Sequence, residues 1–221
     1  MSTIHTIWNG LDWSYLTDIL LSIIPALICI TLHELAHGVV ANWLGDTTAK
    51  DAGRLTLNPI KHLDPMGLVM MIVFRFGWAK PVPVNMYRFK NPRRGMAVTA
   101  VAGPLMNVLI AVVFLFLYGL LFRTLDGEGF VLEMIYLTAY ISLSFAIFNI
   151  LPISPLDGSK VLGAVLPDRQ YDMLMRYERY GMLILLALVA TGVLGRPLST
   201  VTLTAFDKLF IFAEWGYELI G

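Results

Sequence analysis

Residues 16–44 read LTDILLSIIPALICITLHELAHGVVANWL. About 20 apolar residues cross a hydrocarbon core of about 30 Å, and this run is longer than that. Asp18 lies near its start and Pro25 inside it; a membrane helix tolerates such a proline as a kink. The apolar pattern is then broken by Thr31-Leu32-His33-Glu34-Leu35-Ala36-His37-Gly38. A spanning helix with three ionisable groups on about one turn governs how the rest of the chain is read.

The composition agrees with a membrane setting. Hydrophobic residues make up 57% of the 221 and charged residues 14%, against roughly half and a quarter in soluble domains. Those values exclude disorder, a collagen-like fibre and an ordinary water-soluble domain. Lys+Arg and Asp+Glu balance at 16 each, so no basic excess points to nucleic acid. Cys29 stands alone in an apolar run and reads as packing. The first basic residue is Lys50; a secretory signal needs an earlier positive region, so the N-terminus is expected to be kept.

Two further spans are expected, Met96–Phe122 and Val131–Leu151. Gly181–Leu194 is short but strongly apolar. Val201–Ile220 carries Asp207, Lys208, Glu214 and Glu218, and either spans or lies at the interface. Met66–Phe74, within Pro65–Gly77, is too short to cross at about 1.5 Å per helical residue; it reads as re-entrant or interfacial. Trp8, Trp13, Tyr15, Trp215 and Tyr217 suit interfacial anchors. The loops set the orientation. Residues 45–95 hold Lys50, Arg54, Lys61, Arg75, Lys80, Arg88, Lys90, Arg93 and Arg94, and loop 152–180 adds Lys160, Arg169, Arg176 and Arg179. The opposite side receives only Arg123 and Arg196. The positive-inside rule puts both loops in the cytoplasm and the N-terminus outside, in the cell membrane. The expected fold class is an all-α polytopic membrane protein, one domain over residues 1–221.

His33 and His37 are four residues apart and project from one helix face, one turn from each other. Two imidazoles so placed can hold one Zn²⁺ at about 2.0–2.1 Å each. Glu34 can reach a water at the metal without itself being a ligand, the arrangement of zinc hydrolases. The bland alternative is a satisfied polar core. A charge at mid-membrane costs about 2.5–3.5 kcal/mol on insertion scales, and a bound metal is a partner that offsets it. His33 lies 17 residues past Leu16, roughly 25 Å along the helix, which places the group in the cytoplasmic half.

Catalytic zinc usually takes three protein ligands and keeps a position for water. The candidates for the third are His62, Asp64, Asp157 and, more remotely, His5. Asp157 follows Phe148-Asn149-Ile150-Leu151-Pro152-Ile153-Ser154-Pro155-Leu156, at the end of the third span and on the same side as the histidines. The prolines halt the helix and Gly158 permits a sharp turn that aims the carboxylate inward. Spacing alone leaves a second reading open: Asp157 as N-cap of a segment beginning at Ser159.

Several stretches, taken in order, resemble the site-2 proteases, a family of intramembrane zinc metalloproteases. They are His33-Glu34-Leu35-Ala36-His37-Gly38 with Leu44-Gly45-Asp46, Gly53-Arg54-Leu55-Thr56-Leu57-Asn58-Pro59 with His62-Leu63-Asp64-Pro65, Gly77 to Asn85, Ala102-Gly103-Pro104-Leu105-Met106-Asn107, and Asn149 to Gly158. The resemblance covers roughly residues 30–163 and is to a compact form without PDZ or CBS domains. It implies that His33, His37 and Asp157 bind one Zn²⁺ per chain and that Glu34 is the catalytic base. It also implies a core of three transmembrane helices, with a catalytic core over about residues 16–163. Ser154 departs from the pattern, standing where the family often has proline, which would loosen the loop.

The chemistry then asks for more groups. An oxyanion developing in the reaction needs a further donor, and losing one typically costs about 2.7–4 kcal/mol. Asn149 is the candidate, as the matching family residue is thought to contact substrate or stabilise the intermediate; an interhelical amide bond is the alternative. Gly103 and Asn107, four apart, read first as helix packing, although the resemblance implies that this region lines the active site. Arg75–Asn85 resembles the family's membrane-associated β-hairpin, which would receive the unwound substrate as an added strand; a plain cytoplasmic loop is the equal alternative. His62 and Asp64 either orient a ligand from behind or cap the segment after Pro65. The expected function is an intramembrane zinc endopeptidase acting on a transmembrane protein substrate near the cytoplasmic side of the lipid bilayer. Two other readings stand beside it. A zinc transporter or channel would favour several sites along a path, and a catalytically idle scaffold would have no need of Glu34.

Overall fold

The structure is a computed structural model and describes residues 13–67 and 79–220, with the backbone alone over 13–20. The first apolar run forms helix α1, Trp13–Trp43, with Pro25 inside it. The helix stops where Gly45 takes a positive φ of 104° and Asp46 N–H returns to the Ala41 carbonyl at 2.9 Å, a glycine-closed helix end. A short α2, Thr48–Asp51, follows, with 3₁₀ turns at Pro59–His62 and Met86–Arg88. Helix α3 is Pro92–Phe122; Asn91 caps it, accepting from Arg94 N–H, and Pro92 occupies its first position, where a missing N–H costs nothing. Then come α4, Phe130–Asn149, α5, Asp157–Val165, α6, Asp168–Ala190, α7, Gly195–Leu209, and α8, Ile211–Glu218.

Three of these helices are long and apolar enough to cross a membrane: Leu21–Trp43 of α1, Pro92–Phe122 and Phe130–Asn149. They match the three expected spans, with starts and ends shifted by a few residues. The C-terminal part differs from expectation. The apolar stretch Gly181–Leu194 begins as the second half of a longer α6, which ends at Ala190. Val201–Ile220 is not one helix but breaks at Phe210 into α7 and α8. Together α7 and α8 bend away from α6 by 83°, as a broken span or a re-entrant loop.

Helix α3 sits at the centre, touching α1, α4, α5 and α8. Gly95, Thr99, Gly103, Asn107, Ala111, Leu115 and Gly119 are all buried, a stripe at strict spacing of four. Such a row is inclined to the helix axis, so successive positions face different neighbours. Its far end packs backbone to backbone on α8: a Cβ on Gly119 would stand 1.8 Å from the Ala213 carbonyl oxygen, and one on Gly216 2.2 Å from that of Phe116. Ala111, Leu115, Ala139, Leu143, Phe206 and Ala213 form the apolar core there.

The re-entrant segment expected within Pro65–Gly77 and the start of the expected hairpin fall largely on residues 68–78, outside the described residues. Among the described residues no strand forms; a single antiparallel bridge joins Leu63 and Ala79. The stretch 80–85 runs without regular structure, and its amides go to α1 and the loop after it. Val82 N–H donates to Glu34 at 2.9 Å and Asn85 N–H to Asp46 at 2.6 Å. Pro81 and Pro83 have no N–H to offer a partner strand. Asp46 is fully buried. Burial raises its carboxyl, but the Thr48 hydroxyl, the Asn85 and Thr48 amides and the Arg88 charge outweigh that and hold it below the usual carboxylate range.

Candidate active site

His33 and His37 are buried on one face of α1, and their rings meet edge to face with centroids 4.6 Å apart. The Nε2 atoms are 3.0 Å apart. Asp157 Oδ2 lies 3.1 Å from His33 Nε2 and 3.2 Å from His37 Nε2. Asp157 is therefore brought to the histidines, while His62 and Asp64 are not; His5 lies outside the described residues. Among the described residues these three are the group whose ligand atoms converge for a metal ion.

The carboxylate reaches the site through local chain geometry. Asp157 is the first residue of α5, with Leu156 as N-cap, so the N-cap reading of Asp157 does not hold. Gly158 has no positive φ and acts through close approach: a Cβ there would lie 2.0 Å from the Ile150 carbonyl oxygen. Bare backbone lets the start of α5 press onto the end of α4. Ser154 is buried and packs on Gly181 of α6, where a Cβ would meet its carbonyl oxygen at 2.4 Å. Lys160 Nζ stands 3.9 Å from Asp157 Oδ1.

Helix α3 supplies what lies behind the imidazoles. The Thr99 backbone carbonyl is 2.7 Å from His37 Nδ1. A carbonyl only accepts, so Nδ1 carries the proton and Nε2 presents its lone pair. Asn107, fully buried, places its side-chain amide 3.1 Å from His33 Nδ1. Between them Gly103 leaves a gap: a Cβ there would lie 2.4 Å from His37 Nε2 and 2.6 Å from His33 Nε2. The donor set therefore fits a small divalent cation. Lone pairs and a carboxylate oxygen crowd one point, Asp157 Oδ2 is buried without a hydrogen-bond donor, and the neighbouring helix is hollowed where an ion would sit. Two histidines and a carboxylate suit zinc, leaving a fourth position open.

Glu34, half-buried, opens on the same cavity of about 450 Å³ as the three ligand candidates, Val82, Asn149 and Lys160. Its Oε2 is held by Val82 N–H, which leaves Oε1 for other work. Asn149 closes α4 and donates one amide hydrogen to the Phe145 carbonyl at 3.0 Å. Met182 and Leu185 of α6 complete the wall. His62 and Asp64 serve their own loop: His62 Nε2 donates to the Thr56 carbonyl at 2.9 Å, and Asp64 accepts from Gly67 N–H at 2.9 Å. Sequence reasoning missed the Thr99 carbonyl, the Val82 amide, Lys160 and the α6 wall. The basic residue three places after Asp157 was a visible signal; the backbone groups left none.

Comparison with known proteins follows the same direction. The sequence profile of peptidase family M50 matches residues 124–192. The protein named "Putative zinc metalloprotease YwhC" of Bacillus subtilis is 39% identical over 176 residues, covering 76% of this chain and 80% of its own length. The similarly named Rip2 of Mycolicibacterium smegmatis is 30% identical over 199 residues, covering 88% and 76%. MJ0611 of Methanocaldococcus jannaschii is 32% identical over 166 residues, covering 72% and 80%. No solved structure matches the chain.

Proposed function

The chain belongs to peptidase family M50, the site-2 protease family of zinc metalloendopeptidases, and on that premise we propose that it cuts a peptide bond of a membrane-spanning protein inside the bilayer. It is an integral membrane protein with three apolar helices long enough to cross. The side of cleavage is the cytoplasmic one, where the basic loops lie and where the N-terminus does not. His33, His37 and Asp157 would hold one zinc ion per chain. Zinc held there supplies a water that ionises near neutral pH and a Lewis acid for the scissile carbonyl.

The chain's own residues do the rest. Glu34 takes the proton of the attacking water on the oxygen that Val82 leaves open and hands it to the departing amine. The Val82 amide fixes the carboxylate so that this oxygen faces the cavity. Asn149 has a second amide hydrogen beyond the one given to Phe145 and offers it to the substrate or to the developing oxyanion. An unwound substrate lies along the 79–84 segment, which lines the cavity beside Glu34. Met182 and Leu185 add apolar surface to the cavity wall.

The observation that carries this reading is the meeting of two imidazole nitrogens and one carboxylate oxygen within 3.0–3.2 Å beside a glutamate, among apolar helices. The test is the Glu34→Gln protein in detergent or proteoliposomes. Cleavage of a membrane-spanning substrate should fall by about 10²–10⁴ or more, with zinc content unchanged. Wild-type rates from that variant would defeat the assignment.

A further inference from the structure

We infer that Asn107 is a positioning residue for the metal centre: its side-chain carbonyl holds the proton of His33 on Nδ1 and so turns His33 Nε2 into a ligand. This rests on the zinc reading above. The two imidazoles are backed differently. His37 faces a backbone carbonyl, which can only accept, so its tautomer is set once and for all. His33 faces an amide whose two ends have the same shape and opposite hydrogen-bonding sense.

Each orientation of that amide selects one tautomer. With the nitrogen toward His33, Nδ1 must accept, and the ring proton sits on Nε2, 3.1 Å from Asp157 Oδ2. That arrangement bridges imidazole and carboxylate by a proton and leaves no lone pair for a metal. It also leaves Asn107 Oδ1 buried without a donor; the reverse orientation puts the amide nitrogen there instead, so the tautomer and not the orphaned atom separates the two. With the oxygen toward His33, Nδ1–H donates to Oδ1. Nε2 is then bare and faces the same point as His37 Nε2. A half-turn of one buried amide thus converts a proton-bridged pair into a metal site.

The hydrogen bond that ties α3 to α4 here does not use the buried side-chain amide. The contact between α3 and α4 at this level runs through the Asn107 backbone carbonyl, which accepts from Ser142 Oγ at 2.8 Å. Partners of this kind behind a ligating histidine typically change metal affinity by 10–100-fold when removed.

The test compares Asn107→Leu and Asn107→Asp in the full-length purified protein, measuring zinc affinity by chelator competition and the visible absorption of the cobalt-substituted forms. Asn107→Leu should bind zinc about 10–100-fold more weakly. Asn107→Asp, an obligate acceptor, should hold zinc within a few-fold of wild type or more tightly, with altered cobalt bands. A packing role makes the opposite forecast, because a carboxylate buried between apolar helices would do harm there. Should the leucine variant not fold, Asn107→Ala takes its place beside the aspartate. The proposal falls if the apolar variant binds zinc like wild type, or if the folded aspartate variant binds as poorly as the apolar one. Failure of the wild-type protein to bind zinc would instead overturn the reading of the site itself.

Discussion

One helix carries two kinds of contact. Along α3 the same spacing of four runs through Thr99, Gly103 and Asn107, then through Ala111, Leu115 and Gly119. In the first half the stripe offers a carbonyl, a gap and an amide to the imidazoles of α1. In the second half it offers only small and apolar surface to α4 and α8. Both halves contain a glycine at which an added Cβ would clash with a neighbour, but the neighbours differ. Gly103 stands against imidazole nitrogens of His33 and His37, whereas Gly119 stands against the backbone of Ala213. A small residue in a membrane helix therefore marks a close approach, and what approaches decides whether it serves chemistry or assembly.

Substitutions in the two halves should separate those roles. The largest effect is expected for Gly103→Ala, whose methyl would press on the Nε2 atoms of both imidazoles. Zinc binding and cleavage should both be lost while the helices remain assembled, as zinc analysis and circular dichroism would show. Retained zinc would erase the distinction between the halves. Gly119→Ala should do the reverse: overpacking against backbone costs about 3 kcal/mol, read as a lower melting temperature in detergent, with zinc per folded chain unchanged. The smallest effect is expected for Thr99→Val. The Thr99 hydroxyl is buried without a partner and only its carbonyl meets His37. Zinc affinity should stay within about twofold of wild type, since mutation effects away from a lost contact are small. A large loss in that variant would mean that the side chain, not the backbone, positions His37.

The same contrast explains what the sequence revealed. His33, Glu34 and His37 were legible because helical periodicity alone puts two imidazoles on one face. Asp157 was legible as a candidate because two prolines and a glycine follow the third span, although Gly158 turned out to permit close packing rather than a sharp turn. The three apolar spans were legible by length and hydropathy. The Thr99 carbonyl and the Val82 amide were not, because backbone groups leave no trace in residue identity. Asn107 was read first as packing, in a region the family resemblance places along the active site; its backbone carbonyl does pack, and the contact with His33 Nδ1 gives the side chain its own use. The break at Phe210 was invisible as well. Neither proline nor glycine marks it; the contacts of Phe206 with Tyr136 and Tyr140 and of Ala213 with Gly119 set the directions of α7 and α8.

The central claim is that two imidazoles of α1 and the first carboxylate of α5 form one metal centre within a membrane protein. Elemental analysis of the purified wild-type chain beside Asp157→Ala measures it most directly. About one zinc per wild-type chain, and little or none in the variant at equal folded content, is the predicted result. A folded wild-type chain without zinc, or a full complement in Asp157→Ala, would contradict it.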